Sequence, residues 1–168
     1  MMGEAMDIRK IYEYALQREQ EGKRFFEQNA KRLSSATAQG AFKKLAAEEQ
    51  KHIEFIGAQL ASLAQSGGFN LKSGIDMENV GFFSQRAATE DIDVTVAESM
   101  VSDLPVLRMA YLIERDFSEF YEMAASKAEG EAKAVLEMLA RWERTHEALF
   151  KKMHDRAFEE YAQMPWGG

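Results

Sequence analysis

The sequence contains no cysteine among its 168 residues. That absence excludes disulfides, thiolate zinc sites, cysteine nucleophiles and cysteine-ligated iron–sulfur clusters at once. Any metal bound by this chain has to be held by oxygen and imidazole nitrogen. Only two prolines and 11 glycines are present, and 29% of residues are charged, so the composition is neither collagen-like nor that of a low-complexity or disordered chain. Lysine and arginine are outnumbered by acidic residues, 21 to 28, for a net charge of -7. Phosphate backbones are bound by clustered cations, so a nucleic-acid partner is not expected. No run approaches the 18 or so uncharged apolar residues of a membrane span, and Met1 to Lys10 carries Glu4, Asp7, Arg9 and Lys10 with no apolar stretch behind it. The expectation is one soluble, cytoplasmic domain with no membrane partner.

What the chain does have is helical periodicity. Ile8, Tyr12, Ala15, Phe26, Ala30 and Leu33 recur at steps of three or four or their multiples, the spacing of one helix face. Ser34, Ser35 and Thr37 offer caps before a second such run, Phe42, Leu45, Ile53, Ile56, Leu60 and Leu63, which ends at Ser66-Gly67-Gly68. The pattern then breaks over a glycine-containing stretch holding Val80-Gly81-Phe82-Phe83, with room for a short helix between about Val94 and Val101. Ser102 and Asp103 offer caps and Pro105 suits the first turn of a third helix, whose face is Leu107, Ala110, Tyr111, Phe117, Tyr121 and Ala124. Gly130 marks a break before a fourth run, Leu136, Leu139, Phe150 and Met153, reaching about Tyr161. The fold expected is all-α: a helix pair over 5–65, a crossover over 66–103, a helix pair over 104–162 and a tail over 163–168.

Each helix carries an acid inside its apolar stripe: Glu19, Glu49, Glu114 and Glu143. Four carboxylates facing one core would repel one another and pay heavily for desolvation unless cations or protons balance them. Two of the three histidines stand three residues after such a glutamate, as Glu49-Gln50-Lys51-His52 and Glu143-Arg144-Thr145-His146. Spacing i to i+3 puts glutamate and histidine on the same helix face. Hard oxygen with imidazole suits iron or manganese.

The pattern also repeats. Ala15-Leu16-Gln17-Arg18-Glu19 followed by Phe25-Phe26 parallels Ala110-Tyr111-Leu112-Ile113-Glu114 followed by Phe120-Tyr121, and the two E-x-x-H motifs recur at nearly the same offset. A helix of about thirty residues is ~45 Å long, so one long crossover lets the second pair repeat the first. This is the combination described for di-iron and di-manganese proteins of the ferritin-like class, here a four-helix bundle of two helix-pair repeats.

Through Glu19 with Phe26, Glu49-x-x-His52, Glu114 with Tyr121 and Glu143-x-x-His146, the chain resembles the rubrerythrin-like branch of the ferritin-like superfamily. The resemblance implies two iron ions, with manganese or zinc possible in either position. Glu49 and Glu143 would be the bridging ligands, Glu19 and Glu114 the terminal carboxylates, and His52 and His146 one imidazole per metal. These six residues are the expected metal ligands and catalytic residues. The activity implied is a non-haem di-iron oxidoreductase that reduces hydrogen peroxide, or oxidises Fe(II) with O2 or peroxide; the alternative is an iron-binding, buffering or delivery protein without turnover. With no cysteine for a rubredoxin-type domain, electrons would come from an external donor such as a rubredoxin, and a homodimer is expected from the relatives. One departure stands out: Glu114-Arg115-Asp116-Phe117 puts a phenylalanine where those proteins usually have a further, exchangeable glutamate.

His154 has Lys151 three residues earlier and is read as a surface or supporting residue. Glu13, Glu21, Glu27, Glu48, Glu54, Glu119, Glu129, Glu131 and Glu147 are read as solvated helix faces. Tyr12, Tyr111 and Tyr121 are core tyrosines able to reach a ligand carboxylate. The methionines are core filler, and Trp142 a packing residue.

Overall fold

A computed structural model of the protein describes residues 7–66 and 100–165. Four long helices are present among them: α1 (Ile8–Ala30), α2 (Ala36–Ser66), α3 (Leu104–Lys127) and α4 (Gly130–Gln163). α1 packs along α2 and α3 along α4, while α1 also touches α3. The connections at 31–35 and 128–129 are too short for anything but antiparallel neighbours, so the helices form two hairpins. This is the all-α, ferritin-like arrangement of two helix pairs. The crossover, the short helix expected over 94–101 and the Gly-Phe-Phe segment fall on 67–99, outside the described residues except where Val101–Asp103 forms a 3-10 turn.

Helix ends follow local chemistry. The Asp7 side chain accepts from Lys10 N at the start of α1, and Ser35 Oγ accepts from Ala38 N, 3.3 Å, at the start of α2. Gly130 opens α4 at φ +61°, a value that favours glycine. Pro105 sits in the first turn of α3, as expected. The side chains of Ser102 and Asp103 are a correction: neither caps α3. The Asp103 carboxylate instead accepts from the backbone N–H groups of Ser34, 2.7 Å, and Ser35, 2.9 Å, and Ser102 and Ser34 share a hydroxyl contact of 3.0 Å. A charged acceptor is worth more on two N–H groups that lack helical partners than on its own helix, so Asp103 ties the entry of α3 to the α1–α2 turn.

The core divides into two apolar clusters. One holds Tyr12, Ala15, Phe55, Phe117, Tyr121, Leu139 and Trp142; the other holds Phe26, Phe42, Leu45, Ala110, Phe150 and Met153. Phe26, Phe42 and Phe150 pack with ring centroids 5.2–5.4 Å apart. Every helix runs from one cluster to the other and carries its motif residues in between: Glu19 after Ala15 and before Phe26, Glu49 and His52 between Leu45 and Phe55, Glu114 between Ala110 and Phe117, Glu143 and His146 between Leu139 and Phe150. One buried polar layer, lined from all four helices, therefore separates two dry layers.

Candidate metal centre

All six expected residues meet in this layer, each no more than 1% exposed. Glu19, Glu49, His52 and Glu143 form one group, and Glu49, Glu114, Glu143 and His146 a second. Within each group, one ligand atom per residue lies within 4.8 Å of the others. Glu49 and Glu143 belong to both groups, one from each helix pair. Each group thus has two shared carboxylates, one carboxylate of its own and one imidazole.

Both imidazoles present Nδ1 to the carboxylates. His52 Nδ1 lies 3.0 Å from Glu143 Oε1, 3.5 Å from Glu19 Oε2 and 3.6 Å from Glu49 Oε2. His146 Nδ1 lies 3.2 Å from oxygens of Glu49, Glu114 and Glu143. The rings are nearly parallel, 6° between planes, with centroids 5.5 Å apart. Tyr121 donates its hydroxyl to Glu19 Oε1 at 2.7 Å, fixing that carboxylate while leaving Oε2 turned to the centre. Phe26, the residue matching Tyr121 in the repeat, has no hydroxyl to offer Glu114.

The layer is short of hydrogen-bond partners in a telling way. Glu19 Oε2, both oxygens of Glu49 and of Glu143, Glu114 Oε1 and His52 Nδ1 are buried without an aligned hydrogen bond among the described groups. Orphans of this kind cost about 1–3 kcal/mol each, more when charged, and here they converge on the same two points. A pair of cations is the group whose chemistry such a donor set fits.

Electrostatics lead to the same conclusion. Burial, and then the charges of Glu143 and Glu49, hold Glu19 and Glu114 well above the usual carboxylate range. Burial opposes ionisation of Glu49 and Glu143 too, but the close carboxyls of Glu19 and Glu114 together with the imidazoles hold both below that range. Burial would depress His52 and His146, yet the surrounding carboxylates outweigh it and raise both well above the ordinary histidine value. Two carboxyls and two imidazoles are thus pushed toward their protonated forms, and two carboxylates toward their ionised forms. Four carboxylates and two neutral imidazoles around two divalent cations sum to zero, so bound cations would take over the offsetting of carboxylate charge that these shifts assign to protons.

Two acids expected on solvated faces are buried. Glu48 is 3% exposed and places Oε2 3.3 Å from His146 Nε2. Glu147, 8% exposed, accepts from Arg115 Nε at 2.9 Å and from Arg144, which also makes a two-pronged pair with Glu122 at 2.8 and 2.9 Å. The signal for Glu48 is present in the sequence: it lies three residues after Leu45 and four before His52, on the same stripe. Trp142 packs as expected, face to face with His52 at 4.9 Å and edge-on to Phe55. Phe117 is buried against α1, its ring under Arg18 and against Gly22. His154 lies outside the polar layer, contacting Asp155, Tyr111 and Phe158.

Fold and site together define a ferritin-like helix bundle with a buried carboxylate–histidine centre of dinuclear form. Residues 105–165 match the family model described as Rubrerythrin, which spans nearly all of α3 and all of α4 with Glu114, Glu143 and His146. The match covers the second helix pair; Glu19, Glu49 and His52, which the first pair brings to the same layer, lie outside it. No match was found among curated proteins or among solved structures.

Proposed function

We propose that the protein is a non-haem di-iron carboxylate oxidoreductase, which reduces hydrogen peroxide or oxidises Fe(II) with O2 or peroxide. The observation that carries this reading is the pair of four-residue groups sharing Glu49 and Glu143 inside one buried layer. In it, Glu49 and Glu143 would serve both metal positions, Glu19 and His52 would complete one, and Glu114 and His146 would complete the other. When bound, a pair of ferrous ions supplies the two electrons that convert one peroxide and two protons into two waters. The chain's own part is to hold the donors in register from four helices, to keep Glu19 oriented through Tyr121, and to exclude bulk water with the apolar clusters on either side. Electrons for a further cycle would come from an external donor such as a rubredoxin. Manganese or zinc suits the same donors.

Phe117 supports a second reading, binding and delivery of iron without turnover. Its ring is packed against Gly22 where the resemblance calls for an exchangeable glutamate. The test is to load reduced protein anaerobically with Fe(II), add peroxide with and without a chemical reductant, and follow ferric absorbance and peroxide consumption. Rapid oxidation and repeated consumption with reductant support the oxidoreductase; one round of uptake and release supports delivery. Bound zinc that ignores both reagents overturns the iron-based readings.

A further inference from the structure

The two halves of the centre are related by the repeat, but what stands behind the two histidines is not. His146 turns Nδ1 to Glu49, Glu114 and Glu143, and its opposite ring nitrogen, Nε2, lies 3.3 Å from Glu48 Oε2. Both atoms are buried, and their 3.3 Å approach is an ion-pair contact whose hydrogen bond is not aligned in the described geometry. The contact runs from α2 to α4, joining the two helix pairs behind the metal ligands. The residue preceding the motif glutamate in the other half is Trp142, whose ring lies flat on His52 with 18° between planes. Indole N–H donates only, so it cannot take a proton from an imidazole as a carboxylate can.

We infer that Glu48 is a positioning residue that makes the two metal positions unequal. It accepts Nε2–H of His146, locks the ring in the tautomer with the Nδ1 lone pair facing the centre, and strengthens that nitrogen as a donor. The matching position in the other half, Trp142, offers His52 a stacked ring face and no acceptor oxygen. The hydroxyl of Tyr121 acts in the same direction from the other side, because its hydrogen bond to Glu19 draws electron density from the terminal carboxylate of the His52 position, while Phe26 makes no such bond in the Glu114 half. The position of Glu114 and His146 therefore fills first and holds its ion more tightly.

This inference rests on the dinuclear reading, and the experiment separates the two. Metal-free protein is titrated with Co(II) and then with Zn(II), using visible absorption and calorimetry, and zinc-loaded protein is examined by long-range 15N–1H correlation. Wild type takes two ions in two resolved steps, and His146 shows a protonated Nε2 shifted downfield by its carboxylate partner. Glu48→Leu weakens the first step roughly 10–100-fold, the usual range for loss of such a partner, and removes that signature while leaving His52 unchanged. Glu48→Gln, which keeps an acceptor oxygen, restores much of the loss. Two ions with both steps unchanged in Glu48→Leu, or with both weakened equally, overturns the role of Glu48 alone. Fewer than two ions in the wild type overturns the dinuclear reading itself. If Glu48→Leu fails to fold, Glu48→Gln and the wild-type 15N spectrum decide: an unprotonated Nε2 on His146 rejects the inference.

Discussion

Filling the centre with two divalent ions should expel about four protons per chain near neutral pH, because metal ligands bind in their deprotonated forms. The expected count follows from the four groups of the buried layer that are held above their ordinary values. Burial and then the neighbouring carboxylates push Glu19 and Glu114 toward their protonated forms, and the surrounding carboxylates outweigh burial to push His52 and His146 the same way. Glu49 and Glu143 are pushed toward their ionised forms and are expected to contribute none. Zinc is the suitable probe, since it brings no redox chemistry. It can be titrated into metal-free protein in weak buffer with a pH indicator, and checked by calorimetry in two buffers of different ionisation enthalpy. Release of about two protons per ion over the first two equivalents, and none beyond, is expected. Ligands with ordinary solution behaviour would be carboxylates and largely neutral imidazoles at the same pH, so release near zero would refute this balance of protons against metal charge. The sign carries over to stability. For the four groups raised in the folded state, stability is present below their ordinary pKa and lost as pH rises through the raised one. For Glu49 and Glu143, stability is present above the ordinary carboxylate pKa and lost as pH falls through the lowered one. The metal-free protein should be most stable in mild acid and lose Tm toward alkaline pH, while the zinc-loaded protein should not show the alkaline loss.

Three further outcomes can be checked by substitution. A Cβ added at Gly22 would stand 2.9 Å from Phe117 Cε2, so Gly22→Ala should lower stability by about 1–2 kcal/mol in urea unfolding, overpacking outweighing the helix-propensity gain; a more stable variant would show that the α1–α3 contact is looser than described. Asp103→Ala strips the acceptor from the backbone N–H groups of Ser34 and Ser35 and should cost about 1–3 kcal/mol, whereas an unchanged midpoint would remove its role as a tie. His154→Ala should leave metal stoichiometry unchanged, and loss of an ion there would show that a ligand lies outside the polar layer.

The helices, their order and the six converging residues were legible because burial writes itself into spacing: Ala15, Glu19 and Phe26, or Leu139, Glu143 and Phe150, lie on one stripe whatever their polarity. The repeat then distinguished paired motifs from chance. What spacing could not convey was how neighbouring stripes meet. Glu48 lies on the stripe of α2, but only the approach of α4 shows that it faces His146 and not solvent. Glu147 is similar, since its burial depends on Arg115 arriving from α3. Asp103 sits at the start of α3, yet its carboxylate serves a turn sixty-eight residues away in the chain, and long-range partners leave no trace in local propensity. The stretch 67–99, where periodicity failed, is outside the described residues.

The most direct test of the central claim is the metal content of the protein, measured by elemental analysis after anaerobic loading with Fe(II) and removal of loosely held ions, alongside Glu49→Ala and Glu143→Ala. A shared-carboxylate centre predicts about two ions per wild-type chain, and in each variant a fall well below that with the helical signal retained, since both residues serve both positions. Wild-type content of one ion or none, or variants that keep the full complement, would contradict it.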